Sequence, residues 1–361
     1  MPRTSWRDDM VTAALCGWVV TGIVLDAWAH QNASRLETFF TPWHGVLYSG
    51  FFALMAWMVA RTLAGTGWRR ERAAVPAGYG LGLVGVTLFL VSGVGDGIWH
   101  TVFGIERDLE AALSPTHIGL FVGALLAFTT PLRAAWSSDR LGKAPSLRAL
   151  LPALLSLTFA TVLVSFLFFY VSAFRDPAST RPFERWAGQF AGGFPTLAYT
   201  RELGVASVLV TNLLLVAPVL LLLRRWRPPF GSATLLFTAV ALLTTATQEF
   251  AHGELVAAAA AGGLVADWAI ARWNRGDDAV AAHRLVAVVT PLGLWSAYFL
   301  VLQLRDGIAW PAELWTGSIV FASLSGLALS LLMVPPAPGV AAGDLQAEGL
   351  PKPEGLARRG G

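Results

Sequence analysis

Charged residues and cysteine are both scarce in this chain. Asp, Glu, Lys and Arg make up 14% of its 361 residues, whereas soluble domains carry about 25%. The single cysteine, Cys16, excludes a framework of disulfides within the chain. Basic residues form no stripe interleaved with aromatic residues, which argues against nucleic-acid binding. The composition is instead 55% hydrophobic with a mean hydropathy of +0.58, as expected for a protein whose main partner is the lipid bilayer.

Apolar runs of spanning length recur along most of the chain and predict an all-α integral membrane protein with about ten transmembrane helices. We expect a polytopic transmembrane domain over 1–335 and a disordered cytoplasmic tail over 336–361, where Pro, Gly and Ala are frequent. The seventh and eighth runs meet at His252, so they form either two helices or one broken or re-entrant element. The approximate spans are 10–31, 43–64, 77–100, 115–135, 149–173, 202–223, 232–251, 253–272, 284–303 and 314–334.

Basic residues are concentrated in every second connection between these runs. The positive-inside rule therefore predicts a multi-pass protein of the plasma or inner membrane with both termini cytoplasmic. The first run is long enough to cross the bilayer, so it is interpreted as a helix rather than as a cleaved signal peptide. Of the six histidines, only His283 falls on the inner side in this topology. The five outer histidines are His30, His44, His100, His117 and His252.

Two short motifs occur twice, in the same order and orientation. A D-x-x-x-H motif ends the first and third runs, and an [ST]-P-x-H motif begins the second and fourth runs. The units at about 10–64 and 77–135 are therefore predicted to form a parallel internal repeat of a two-helix hairpin. The motifs are Asp26 to His30 with Thr41 to His44, and Asp96 to His100 with Ser114 to His117.

The spacing of these motifs suits a metal ion. Asp and His at i and i+4 share one helix face, and Ser or Thr followed by Pro is typical of a helix N-terminus. Each hairpin is therefore expected to bring one Asp and two His together near the extracytoplasmic surface. Two imidazole nitrogens and one carboxylate oxygen are a common ligand set for zinc, copper or iron, with a position left open for substrate.

A third contribution is expected from the seventh run, where Glu249 and His252 at i and i+3 would share a helix face. We expect Glu249 to act as a ligand or as a catalytic proton-transfer group, and His252 to be an accessory ligand. Asp267 is expected to form an ion pair with Arg272. The predicted metal ligands are thus Asp26, His30, His44, Asp96, His100, His117, Glu249 and His252.

In order and spacing, the two Asp/His/His sets resemble the C subunit of the copper membrane monooxygenases, the particulate methane and ammonia monooxygenase family. That resemblance implies that Asp26, His30 and His44 match the family's Asp/His/His set. It implies that Asp96, His100 and His117 match a neighbouring Asn/His/His set, with Asp96 where the family has asparagine. It covers only the first four helices, and it implies copper within the membrane and oxidation chemistry.

Several functions are compatible with these residues. The first is a copper- or iron-dependent oxidase or monooxygenase of an apolar substrate, alone, as a homo-oligomer or with partner membrane subunits. The second is copper or zinc transport or handling, although the soft Met and Cys ligands that copper(I) prefers are almost absent along the helices. The third is a zinc-dependent hydrolase with Glu249 as general base. Haem ligation by paired histidines and plain hydrogen-bonded ties between helices are the remaining interpretations.

Overall fold

The computed structural model describes residues 4–32, 41–64, 75–104, 109, 113–189, 196–274 and 279–334. These residues are largely α-helical, with one isolated β-bridge between Thr180 and Ile308, which confirms the all-α prediction. The predicted tail at 336–361 lies outside the described residues. The helices are α1 (Trp6–Asn32), α2 (Pro42–Ala64), α3 (Tyr79–Phe103), α4 (Pro115–Phe128), α5 (Thr130–Trp136), α6 (Leu147–Leu167), α7 (Arg181–Gly188), α8 (Thr196–Arg225), α9 (Ser232–Ala246), α10 (Leu255–Trp273), α11 (Ala279–Arg305) and α12 (Ala312–Met333).

Within the described ranges, nine helices are long and apolar enough to cross a membrane, with α4 and α5 counted as one span. The tenth, α9, is apolar but has only 15 residues, about 22 Å against a hydrocarbon core of about 30 Å. The chain is therefore a multi-pass membrane protein of about ten spans, as predicted.

The seventh predicted span, 232–251, extends too far. Helix α9 ends at Ala246, and the chain turns until α10 begins at Leu255. Glu249 and Phe250 have φ angles of 53° and 58°, a left-handed conformation that L-residues do not propagate into a helix. The expectation that Glu249 and His252 share a helix face is therefore wrong.

Small residues bring the helices of each N-terminal hairpin close together. A Cβ added to Gly123 of α4 would lie 2.7 Å from the backbone nitrogen of Phe89 on α3. In α1, a Cβ added to Gly22 would collide with the backbone of Leu47 on α2. Apolar burial cannot drive such contacts within lipid, so close packing at small residues takes its place. The opposite face of α3 is apolar and exposed, which suits contact with lipid.

The two ends of the bundle differ in their histidines, while ion pairs occur at both ends. One end carries the pairs of Arg61 with Asp8 at 2.9 Å and of Arg140 with Asp9 at 2.7 Å. The other end carries His30, His44, His100, His117 and His252, at the ends of α1 and α3, the starts of α2 and α4 and the connection from α9 to α10. That connection reaches the end of α1, where Asn32 Nδ2 donates to the Thr247 carbonyl oxygen at 3.1 Å.

Asp267 does not pair with Arg272 but holds the start of the short helix α9. Its carboxylate accepts hydrogen bonds from Ala233 N at 3.0 Å, Thr234 N at 3.1 Å and Thr234 Oγ1 at 2.7 Å. These are the backbone N–H groups that a helix N-terminus leaves without partners. The Asp267 residue is only 1% exposed, so its loss would leave those donors unsatisfied inside the bundle.

We expect Asp267→Ala to lower the free energy of unfolding by about 2 kcal/mol, as the loss of a helix cap does. Asp267→Asn should lose less, because one amide oxygen still accepts. Thermal unfolding of purified protein in detergent measures both. The control is Asp139→Ala, whose side chain is 95% exposed and whose loss should leave the midpoint unchanged. A wild-type midpoint for Asp267→Ala would show that the cap contributes no stability.

Candidate metal centre

The second hairpin brings its three predicted ligands to one point. Asp96 and His100 lie one turn apart near the end of α3, and His117 lies in the first turn of α4. Ser114 caps that turn, because its side chain accepts from the backbone N of His117 at 3.4 Å, and Pro115 begins the helix. Thr41 does the same for the His44 backbone N at 3.2 Å. The predicted caps are therefore confirmed, and each places a histidine one turn inside its helix.

Asp96 lies between the two imidazoles. Its Oδ2 is 3.3 Å from His100 Nε2, and its Oδ1 is 3.2 Å from His117 Nε2. One ligand atom from each of the three residues lies within 4.8 Å of the others. The side chains of Asp96 and His100 are 2% and 4% exposed, whereas that of His117 is 24% exposed. The triad is thus buried on the α3 side and accessible at His117.

The spacing of the triad can be compared with that of a tetrahedral ion. With metal–ligand bonds of about 2.0 to 2.1 Å, neighbouring ligand atoms in a tetrahedral site are about 3.4 Å apart. The two imidazoles contact different oxygens of Asp96, and one ligand atom from each residue lies within 4.8 Å of the others. An ion held by one carboxylate oxygen and two nitrogens would therefore draw these atoms closer together, and three ligands would leave a fourth position open.

The hydrogen bonds around the triad constrain the protons of His100. Its Nδ1 lies 3.3 Å from the Gly104 carbonyl oxygen, and its Nε2 faces the Asp96 carboxylate. Both nitrogens thus face acceptors, but a neutral imidazole carries only one N–H. His100 is therefore either an imidazolium ion or a ligand whose Nε2 binds a cation beside Asp96. Thr116 Oγ1 also donates to Asp96 Oδ1 at 2.9 Å.

No protein-family model, curated protein or solved structure matches this chain. Function is therefore inferred from the residues themselves and from their geometry. The strongest element is the triad, since each of its three side chains comes from a motif that is present twice in the sequence.

The first hairpin brings its residues together less tightly. Asp26 lies 3.3 Å from His44 Nε2 and 3.6 Å from His30 Nδ1. The His30 nitrogen that faces the carboxylate is committed to the Asp26 backbone carbonyl at 2.9 Å, so it is a donor and cannot at the same time be a ligand. Among the described residues, this set does not meet the 4.8 Å spacing that the triad meets.

A glycine accompanies the ring orientation of His100. Gly104 lies four residues after His100 and has a left-handed φ of 85°, and its carbonyl oxygen meets His100 Nδ1. The corresponding position after His30 is Ser34, which lies outside the described residues. The His30 ring instead contacts the backbone carbonyl of Asp26 in its own helix. The glycine is present in only one of the two repeats, and the sequence pattern does not predict the ring orientation that goes with it.

Tyr48, one turn after His44 on α2, connects the two sets. Its ring lies 6.1 Å from that of His44 and 6.4 Å from that of Phe89 on α3. The phenol also interacts electrostatically with both Asp26 and Asp96. The two sets therefore lie side by side around α2, within reach of one phenol that sequence reasoning did not single out.

The structure separates Glu249 from His252, the two ligands that were predicted for the seventh run. Glu249 lies exposed in the turn after α9 and belongs to neither group of three close ligand atoms. Its catalytic role stays a prediction without a supporting contact. His252 instead groups with Glu254 and with Asp306 from the end of α11. Glu254 is close to His252 in the sequence, but Asp306 is distant from both. No sequence motif therefore predicts this group of three.

We expect Gly104→Ala to weaken metal binding at the triad by about 10- to 100-fold, the usual effect of removing a group that orients a ligand. The left-handed φ of 85° is strained for alanine, so the carbonyl would move away from His100. Titration against a chelating indicator dye measures the affinity. Gly142→Ala is the matched control, since Gly142 has a φ of 61° with no atom within 4 Å of an added Cβ and lies far from the triad in the fold. Equal weakening in both variants would point to general strain instead.

Proposed function

We propose that the chain is an integral membrane metalloprotein that binds a transition-metal ion at Asp96, His100 and His117. In this proposal the ion supports a copper-dependent oxidation of an apolar substrate, with iron as the alternative metal. The observation that carries the proposal is the buried triad, in which one carboxylate lies between two imidazoles at 3.2 and 3.3 Å. Buried ionisable groups are costly within a bilayer and tend to mark functional sites.

Each residue of the triad has a separate task. His100 is oriented by Gly104, so its Nε2 is directed at the site. Asp96 supplies a negative charge that compensates a cation, and the Thr116 hydroxyl holds that carboxylate in place. His117 is the more exposed ligand and lies at the side where a small molecule can approach.

The surroundings favour an apolar substrate. Ile118 follows His117 directly and is 43% exposed, and Ile98 lies between the two α3 ligands and is 60% exposed. These side chains belong to the apolar surface that faces lipid, so a molecule dissolved in the bilayer would reach the triad along it. A ligand set of nitrogen and oxygen suits copper(II), iron(II) and zinc. The preference for copper rests on the resemblance to the copper membrane monooxygenases, which Asp26, His30, His44, Asp96, His100 and His117 carry.

A monooxygenase reaction consumes one O2, two electrons and two protons for each C–H bond that becomes C–OH, with water as the second product. A reductant from outside the chain is therefore part of the proposal.

The first test is metal content. Purified protein loaded with copper(II) and then washed with a weak chelator should retain copper, and its electron paramagnetic resonance spectrum should show coupling to two imidazole nitrogens. Each of Asp96→Ala, His100→Ala and His117→Ala should lose this signal. Glu313→Gln is the control, because Glu313 is an exposed carboxylate in the first turn of α12 and lies outside the triad. Retention of the signal in all three triad variants would end the proposal.

The second test separates oxidation from the other functions. Copper-loaded protein in lipid nanodiscs, with a reductant present, should consume oxygen when an apolar hydrocarbon is added, and His117→Ala should abolish this consumption. His30→Ala should retain most of it, because His30 Nδ1 is committed to a backbone carbonyl. Tightly bound zinc without oxygen consumption would favour hydrolysis, and flux of metal into vesicles would favour transport.

A further inference from the structure

A second group of potential ligands lies outside the triad. His252 belongs to the connection after α9, Glu254 immediately precedes α10, and Asp306 follows the last residue of α11. The fold brings these residues together because Glu249 and Phe250 reverse the chain with left-handed φ angles, while Gly307 with a φ of 72° turns the chain after Asp306. One ligand atom from each residue lies within 4.8 Å of the others.

Two atoms in this group are buried without a hydrogen-bond partner among the described residues. His252 Nδ1 and Glu254 Oε1 lie 3.6 Å apart, and each of the two atoms is shielded from solvent and unsatisfied. Buried polar atoms normally have partners, so an unsatisfied pair needs an explanation such as an ion. A spacing of 3.6 Å is close to the ligand-to-ligand distance of about 3.4 Å in a tetrahedral site.

The surrounding charges favour a cation in this group. Arg305 contacts the other carboxylate oxygen of Glu254, Oε2, at 3.2 Å, so Oε1 is left facing His252. Asp176 is also close enough to His252 for their charges to interact, although Arg175 lies 3.5 Å from its carboxylate. Glu254 and Asp306 therefore lie beside the His252 imidazole, and Asp176 adds a third negative charge in its neighbourhood.

We propose that His252, Glu254 and Asp306 form a second divalent-cation site, distinct from the triad and suited to zinc or manganese(II). Its ligand set of one nitrogen and two carboxylate oxygens is chemically harder than that of the triad, which has two nitrogens and one oxygen. It is also more accessible, since the side chains of His252 and Glu254 are 31% and 18% exposed. The ion joins the α9–α10 connection to the end of α11, and that connection in turn contacts α1 through Asn32.

The test is zinc binding by the full-length chain in detergent, stripped of metal beforehand and measured by equilibrium dialysis with elemental analysis. His252→Ala and Asp306→Asn should each bind one equivalent fewer than the wild-type chain and should lose part of the zinc-induced rise in the thermal midpoint. Glu313→Gln is the control, since Glu313 is an exposed carboxylate in the first turn of α12 and lies outside the group. His117→Ala should lose a different equivalent, and the His117→Ala/Asp306→Asn double variant should lose both.

Unchanged zinc stoichiometry and affinity in both His252→Ala and Asp306→Asn would overturn this site, whereas unchanged binding in His117→Ala would overturn the triad only. If the variants do not fold, chemical modification of the wild-type chain tests the same site. Zinc should protect His252 from modification by diethyl pyrocarbonate, as detected by peptide mass spectrometry. Modification of His252 at the same rate with and without zinc would also overturn the proposal.

Discussion

Burial of the Asp96 carboxylate is the main constraint on the N-terminal half of the structure. An ionisable group in an apolar bundle costs several kcal/mol unless its charge is compensated, and Asp96 is only 1% exposed. Compensation comes from His100, His117 and the Thr116 hydroxyl, which belong to two helices. Helices α3 and α4 must therefore meet at this level. The Ser114 cap and the close contact of Gly85 with Gly123 are the local features that make them do so.

The same motifs in the first hairpin produce a different site, and the difference is one of ring orientation. His30 directs Nδ1 at its own helix, whereas His100 directs Nδ1 at Gly104 and so presents Nε2 to the carboxylate. A repeat in sequence thus becomes one compact triad and one looser set.

The sequence predicted those features whose causes are local. Apolar runs predicted the spans, and Ser114 and Thr41 predicted where α4 and α2 begin, because capping involves neighbours within one turn. The failures have non-local or conformational causes. The apolar run predicted a helix through Glu249, but the left-handed backbone at that residue lies beyond the end of α9. Asp267 on α10 caps the start of α9 and does not pair with the nearby Arg272. The grouping of Glu254 and Asp306 with His252 depends on how α10 and α11 pack, which no periodicity indicates.

Protons and a metal ion compete for the same atoms of the triad. Without a metal, hydrogen bonds from His100 to both Gly104 and Asp96 require an imidazolium, since a neutral ring has one N–H. A metal ion bound to Nε2 of His100 would take the place of the proton that faces Asp96, and the ring could then be neutral. Metal binding releases the protons that it replaces, so the side chains that tie the two helices together without a metal are the same ones that would bind it.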